Sequence, residues 1–498
     1  MTTTLIIHAG ETLGTISPYL HGHFAEHLGR CCYDGIFVGR DSPIPNRDGF
    51  RTDALDALKV MGVPQLRWPG GCFADSYHWR DGIGPVESRP RTWAESCGEN
   101  VVEDNALGTH EFIAYCAALG ADPYLAGNVG SGSPQEMMDW VHYCNGAADT
   151  TLARERAANG HPDPMGVKFW GVGNENWGCG GNYDAESYAK EFKRFGTFLK
   201  MADRSVELVA CGLNNRDWNM KLVETLRNHL GLLDHVSVHQ YWANGPALTF
   251  SEEDYYNSLH AAATVEDDIR FTDEILRFFT SHRPKKVGIA FDEWGIWHPE
   301  AVTTTDYEAP STIRDAVVGA GVLDVFHKWC DRVSTANIAQ IVNVLQALVQ
   351  TKGETMWLTP TYHLFALYAP HRGAQAVRAE IGDAPAREIG PVTNIHGGRP
   401  HTDSMALLSA SASKKDGRLI VSLSNRQPDQ AQEVTLTVRD GSLHGGRLHT
   451  MAGAANAHNS AEQPDAVGVT EMPVEAQGDT LALTLPPCSV QTLVLKLA

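Results

Sequence analysis

VKFWGVGNEN, residues 167–176, is the stretch on which the fold turns. A short apolar run rich in aromatic and β-branched residues ends abruptly in Asn174, Glu175 and Asn176. KVGIAFDEWG (286–295) repeats the design, with Asp292 and Glu293 closing the run. Six more runs of similar texture surround these two: YLHGHF (19–24), PQLRWPGG (64–71), DPYLAGN (122–128), VELVACG (206–212), DHVSVHQYW (234–242) and ANIAQIVNVL (336–345). Between them lie segments with apolar residues three and four apart, at 52–61, 105–119, 184–202, 252–282 and 311–332, which read as helices. Eight strand-like runs with helical connections predict an α/β chain built on a (β/α)8 TIM barrel. A doubly wound open sheet fits less well. No glycine-rich phosphate loop follows the first run, and polar residues recur at the C-terminal ends of many runs rather than at one crevice.

Beyond about residue 370 the texture changes. MALLSASA (405–412), RLIVSLSN (418–425), EVTLTVRD (433–440), LALTLPP (481–487) and SVQTLVLKLA (489–498) alternate with period two and are separated by Gly, Asp and Pro. They predict an antiparallel, jelly-roll-like β-sandwich. TTTLIIHA at the N-terminus is also a strand by composition, and the sandwich needs partners for its edges. The expected organisation is a catalytic barrel over 18–370 and a sandwich made of 1–17 plus 371–498. All twelve Trp lie at or before Trp357, so aromatic recognition belongs to the barrel.

The 498 residues need no disulfide or metal staple, because a chain of this length buries about three quarters of its extended surface. With 40 Lys and Arg against 60 Asp and Glu, the net charge of −20 argues against a nucleic-acid partner or an anionic membrane. Charged residues at 20 % and hydrophobic ones at 43 % exclude global disorder. Ten Cys form no CxxC pair, which disfavours a zinc ribbon and leads to the expectation of free thiols in a reducing, cytoplasmic setting. The N-terminus has no basic start and no apolar run of signal-segment length, and no stretch reaches the 18 or so apolar residues of a membrane span.

In a barrel the chemistry sits at the C-terminal ends of the strands. Those ends carry Glu26, Arg67, Asn128, Asn174, Glu175, His239, Tyr241 and Glu293. Glu175 and Glu293 fall on the fourth and seventh runs, which face one another across a narrow barrel mouth. A carboxylate pair flanking a bond is the equipment of glycoside hydrolysis, with one group as acid/base and the other as nucleophile or base. The acid must keep its proton near neutral pH, so one of the two sites must be drier or nearer to negative charge. The residues alone leave open which is which. Trp177 and Trp297, close behind the two glutamates, are candidates to line a sugar pocket, and Trp93 and Trp242 to form a subsite wall. Gln340 on the eighth run is a further candidate ligand. His239 reads as an orienting group rather than a metal ligand, since no partner follows at ligand spacing. No metal and no cofactor are expected.

The chain resembles the glycoside hydrolase family 51 α-L-arabinofuranosidases over essentially its whole length. The resemblance is carried by HGHFAEHLGRCCYDGIFVG (21–39), LRWPGG (66–71), YHWRDGIGP (77–85), GVGNENWGCGGN (171–182), SVHQYW (237–242) and FDEWG (291–295). It implies Glu175 as general acid/base and Glu293 as nucleophile. It further implies Glu26 and Asn174 as sugar-hydroxyl ligands, Tyr241 as the group that orients the nucleophile, and Arg67 as a cation favouring its ionised form. Cys72 stands where several members of the family have a ligating Asn. It is expected to line the sugar pocket, with Asp75 or a water taking over part of the polar work. The implied reaction is retaining, exo-acting release of terminal non-reducing α-L-arabinofuranosyl units from neutral oligosaccharides derived from arabinoxylan or arabinan. Other specificities on the same scaffold are β-D-xylosidase, galactofuranosidase and endo-glucanase. Long segments at 29–48 and 71–105 favour a blind pocket over a cleft. The family also implies a homo-oligomer, trimer or hexamer.

Overall fold

The computed structural model describes residues 2–242, 244–394, 397–399 and 402–498. Eight parallel strands close into a barrel in chain order: Gly22–Phe24, Gln65–Trp68, Asp122–Gly127, Phe169–Val172, Glu207–Ala210, His235–Trp242, Gly288–Ile296 and Val333–Ala339. Each overlaps one of the eight predicted runs. The last begins before its run and ends within it, at Ala339, so Gln340 leaves the strand at the mouth of the barrel. Tyr124, Phe169, Val209 and Ala290 fill one layer of the interior, with Tyr19 packed against them.

Helices cover the outside where the apolar spacing predicts them. Thr52–Met61 and Ala185–Ala202 match within a residue. The segment 252–282 is two helices, Glu252–Ala263 and Val265–Thr280, divided at Thr264. Thr264 caps the break by accepting from Gln240 Nε2 and donating to the Ala261 carbonyl. Among the described residues no helix is long and apolar enough to cross a membrane.

Beyond the barrel lies a nine-stranded sheet, in the order Thr470–Gly478, Leu443–Ala452, Ser489–Leu497, Arg418–Asn425, Leu408–Lys415, Gln375–Gly382, Thr3–Thr15, Gln432–Arg439, Thr480–Leu485. It curls around Leu5, Ile7, Leu419, Val421, Leu436 and Leu493. The N-terminal strand joins this sheet, as expected, and lies between Gln375–Gly382 and Gln432–Arg439 rather than at an edge. It runs antiparallel to Gln375–Gly382, but parallel to Gln432–Arg439, the one parallel pairing of this sheet among the described residues.

Barrel and sheet meet along the helix Ile313–Lys328 through buried polar contacts. Asp324 accepts from Ser409, and His327 Nδ1 lies 3.0 Å from Ser411 Oγ. His21 Nε2 is 2.9 Å from His327 Nε2, while His371 bonds Ser413 and Ser422 at 2.8 and 3.0 Å. His21, His23, His327 and His371 are completely enclosed, and burial pushes each ring's pKa down, to about 3 for His371; for His21 and His23 the Arg372 cation acts in the same direction. Unfolded, these rings take up protons near pH 6.5. Their contribution to stability is therefore complete above about pH 6.5 and is lost as pH falls toward the folded values. Stability in urea unfolding is expected to hold steady from pH 7.5 to about 6.5 and, between there and pH 5, to approach a loss of about 1.4 kcal/mol per pH unit for each such ring, with His371→Gln flattening that slope by one ring's share.

Candidate active site

The fourth and seventh strands deliver their carboxylates to one point. An oxygen of Glu175, a nitrogen of His239 and an oxygen of Glu293 lie within 4.8 Å of one another. His239 Nδ1 stands 2.9 Å from Glu175 Oε1 and 3.3 Å from Glu293 Oε2, so the imidazole bridges the pair. On the far side of the ring, Nε2 is 3.2 Å from Asp292 Oδ1. Burial opposes charge on this ring, but Glu293, Asp292 and Glu175 outweigh it and push its pKa up to about 10. His239 is therefore an imidazolium at neutral pH.

Glu293 is held at both oxygens. Tyr241 donates to Oε1 at 2.8 Å and Arg67 Nη1 to Oε2 at 3.0 Å. Burial, reinforced by the Glu175 charge, raises the Glu293 pKa, while His239, Arg67 and Tyr241 pull it down. Arg67 also donates to Asn174 Oδ1 and approaches Asp292 Oδ2 at 3.6 Å. The amide Nδ2 of Asn174 is left buried without a protein partner. A substrate hydroxyl is the kind of acceptor that would satisfy it.

Strand alternation would send Asp292 and Glu293 to opposite faces. Irregularities in register against both neighbouring strands, between Ser237 and His239 on one side and Phe291 and Trp294 on the other, turn both carboxylates into the barrel. Asp292 then accepts from Tyr124 and Ser237, each at 2.6 Å, and its own pKa is driven well down: burial opposes ionisation, but His239, Arg67 and Ser237 prevail.

Glu26 is buried close enough to Glu293 to feel its charge. Its oxygens accept from Ser96 Oγ at 2.7 Å, Phe73 N at 3.3 Å and Gln340 Nε2 at 3.3 Å. The two glycines of LRWPGG make room for it, since a Cβ on Gly71 would sit 2.8 Å from both carboxylate oxygens. Burial and then the Glu293 charge raise the Glu26 pKa to about 7, so near neutrality it both donates and accepts. Ser96 reaches Glu26 from the turn of a hairpin, Thr92–Ser96 and Glu99–Glu103, inside the long second loop.

The structure corrects three expectations. Cys72 is not a free thiol: it is bonded to Cys179, which comes from the loop after Glu175. The two lie 107 residues apart in sequence but 5.5 Å apart at Cα, a distance that disulfides span and that sequence spacing cannot reveal. Cys72 therefore has no S–H to offer a sugar; the other eight cysteines are free. Asp75 takes over no work toward substrate either. Its carboxylate accepts from the backbone N–H of Val129 and Gly130 at 2.7 and 2.8 Å and of Asn174 at 2.7 Å, tying three loops together. Trp242 is fully buried on the outside of its strand, against Trp294, and forms no subsite wall.

Trp297 stands edge-on to Tyr241 at 5.5 Å and Trp177 donates to the Gly212 carbonyl at 3.2 Å; both are partly exposed next to the site. Trp93, 69 % exposed, lies on the hairpin. Four residues of the site, Asp292, Ser96, Tyr124 and Cys179, are not among the candidates that the sequence singles out. Only Asp292 carries a signal there, its place beside Glu293 at a strand end.

Two family models match the chain, the α-L-arabinofuranosidase 1 domain over residues 57–259 and the α-L-arabinofuranosidase C-terminal domain over 292–489. An intracellular exo-α-L-arabinofuranosidase of Bacteroides ovatus is 39 % identical, over 99 % of this chain and 95 % of the relative. The crystal structure of the family 51 arabinofuranosidase of Xanthomonas axonopodis pv. citri superposes with a TM-score of 0.92 at 34 % identity, covering 99 % of this chain and 100 % of that one. An arabinose complex of the Thermotoga maritima α-L-arabinofuranosidase superposes at 0.89 with 31 % identity, covering 99 % and 100 %. With the carboxylate pair, the barrel and these likenesses in agreement from end to end, the chain belongs to the glycoside hydrolase family 51 α-L-arabinofuranosidases.

Proposed function

We propose that the chain removes terminal non-reducing α-L-arabinofuranosyl units from neutral oligosaccharides of arabinoxylan or arabinan origin, with Glu293 as nucleophile and Glu175 as general acid/base. The observation that carries this reading is the approach of the two carboxylates to within 4.8 Å, nearer the about 5–5.5 Å of retaining pairs than the wider gap that inversion needs for its water. Glu293 attacks the anomeric carbon while Glu175 protonates the departing oxygen; water then hydrolyses the arabinosyl-enzyme with Glu175 as base. Two contacts support Glu293 as the attacking group. Tyr241 and Arg67 fix both of its oxygens and favour the ionised form. Asn174, Glu26 and Gln340 bind ring hydroxyls, and Trp177 and Trp297 flank the leaving group.

The working unit is the barrel over 18–370, with 1–17 plus 371–498 as the supporting sheet. The chain acts in the cytoplasm, a reading supported by the Bacteroides ovatus relative described as intracellular and by the eight free thiols. It assembles as a homo-oligomer, trimer or hexamer, which light scattering on the purified protein checks directly.

Aryl α-L-arabinofuranoside, β-D-xyloside and β-D-galactofuranoside should be compared with wild type and both glutamate variants. The arabinofuranoside is expected to be fastest. Glu175→Ala should lose about 10²–10⁴-fold in rate and recover with azide to give a glycosyl azide of retained configuration. Glu293→Ala should show no turnover, and activity surviving there would remove it as nucleophile. Loss of the neighbouring cation disfavours an ionised carboxylate, so Arg67→Gln should move the acid limb of kcat/KM to higher pH. Unpairing the buried charge partners should also destabilise the fold by about 3–5 kcal/mol in urea titrations.

A further inference from the structure

The disulfide lies against the acid/base. Cys179 Sγ is 3.9 Å from Glu175 Oε2, and one atom each of Cys72, Cys179 and Glu175 fall within 4.8 Å of one another. Cys179 is exposed and Cys72 partly so, which leaves the bond open to a small reductant. Two sulfurs and a carboxylate oxygen converging from two loops make a donor set of the kind that holds a soft divalent cation. Zn²⁺ takes Cys sulfur at about 2.3 Å and carboxylate oxygen at about 2.0–2.2 Å, with a fourth position free for water. As a disulfide, the same sulfurs have no charge to offer.

We propose that Cys72, Cys179 and Glu175 form a redox-gated site for a soft divalent cation such as Zn²⁺ or Cd²⁺, closed by the disulfide and opened by reduction, whose occupation switches the enzyme off. Opening cleaves the S–S bond. Two electrons and two protons come from a dithiol reductant, which closes its own disulfide, and Cys72 and Cys179 become thiols. The cation displaces the two thiol protons to solvent and forms two metal–sulfur bonds and one to a Glu175 oxygen. Held by the cation, Glu175 no longer carries a proton to the leaving group. The inhibitory half of the inference rests on the acid/base reading of Glu175; the binding half does not.

The test uses the full-length enzyme in two states: as isolated under air, and reduced with a phosphine and desalted anaerobically. Each is titrated with Co²⁺ and with Zn²⁺. Thiolate-to-cobalt charge transfer in the near ultraviolet reports binding, and aryl arabinofuranoside hydrolysis reports function. The reduced enzyme is expected to develop the band and to lose about 100-fold in rate at saturation, the scale of general acid–base catalysis, with recovery on adding EDTA. The disulfide form should show neither. Cys179→Ser and, independently, Cys72→Ser should abolish both responses in either redox state, whereas Cys97→Ser, which removes the exposed free thiol, should keep them. Equal responses in the two redox states, or a band that persists in both serine variants, would overturn the site. A band without inhibition would remove Glu175 as a ligand and overturn the switch, whereas the acid/base reading stands or falls on the Glu175→Ala rates.

Discussion

A guanidinium buried in the mouth of a barrel governs this active site. Arg67 is about 1 % exposed, lies over the Phe24 ring at 4.6 Å, and distributes its donors among Glu293, Asn174 and Asp292. Burying a cation is tolerated only where anions and acceptors surround it. That requirement dictates the neighbourhood: two carboxylates from the seventh strand and an amide from the fourth must converge on the second. The same charge that stabilises the arrangement also favours an ionised Glu293, so packing and chemistry share one constraint.

A second cation completes the balance. His239 sits between Glu175 and Glu293 on one side and Asp292 on the other, and those three acids keep it charged despite complete burial. The site thus sets Glu175, Glu293 and Asp292 against Arg67 and His239. Glu26 stands a little apart and remains near its titration point. Asp75 ties together the loops after the second, third and fourth strands, and so supports the loop that carries Asn174 and Glu175.

The Cys72–Cys179 bond joins two of those same loops at the rim. It sits among eight free cysteines, seven of them buried. Its exposure and its contact with Glu175 separate it from a core staple, and place it where a change in covalent state reaches the chemistry directly.

Much of this arrangement is legible in the amino-acid sequence alone. Short apolar runs mark all eight barrel strands and many of them end in polar residues, because a strand buried on both faces must be apolar along its length and can change character only at its end. The same ends carry Glu26, Arg67, Asn174, Glu175, His239, Tyr241 and Glu293, and the fold brings them together. Three things are decided in tertiary structure alone. The inward turn of Asp292 depends on register slips against two neighbours, which no property of the strand itself records. The duty of Asp75 and the joining of Cys72 to Cys179 depend on loops that meet only when the barrel closes. Local sequence encodes periodicity and chemistry within a strand; distances between strands are set by closure of the whole sheet.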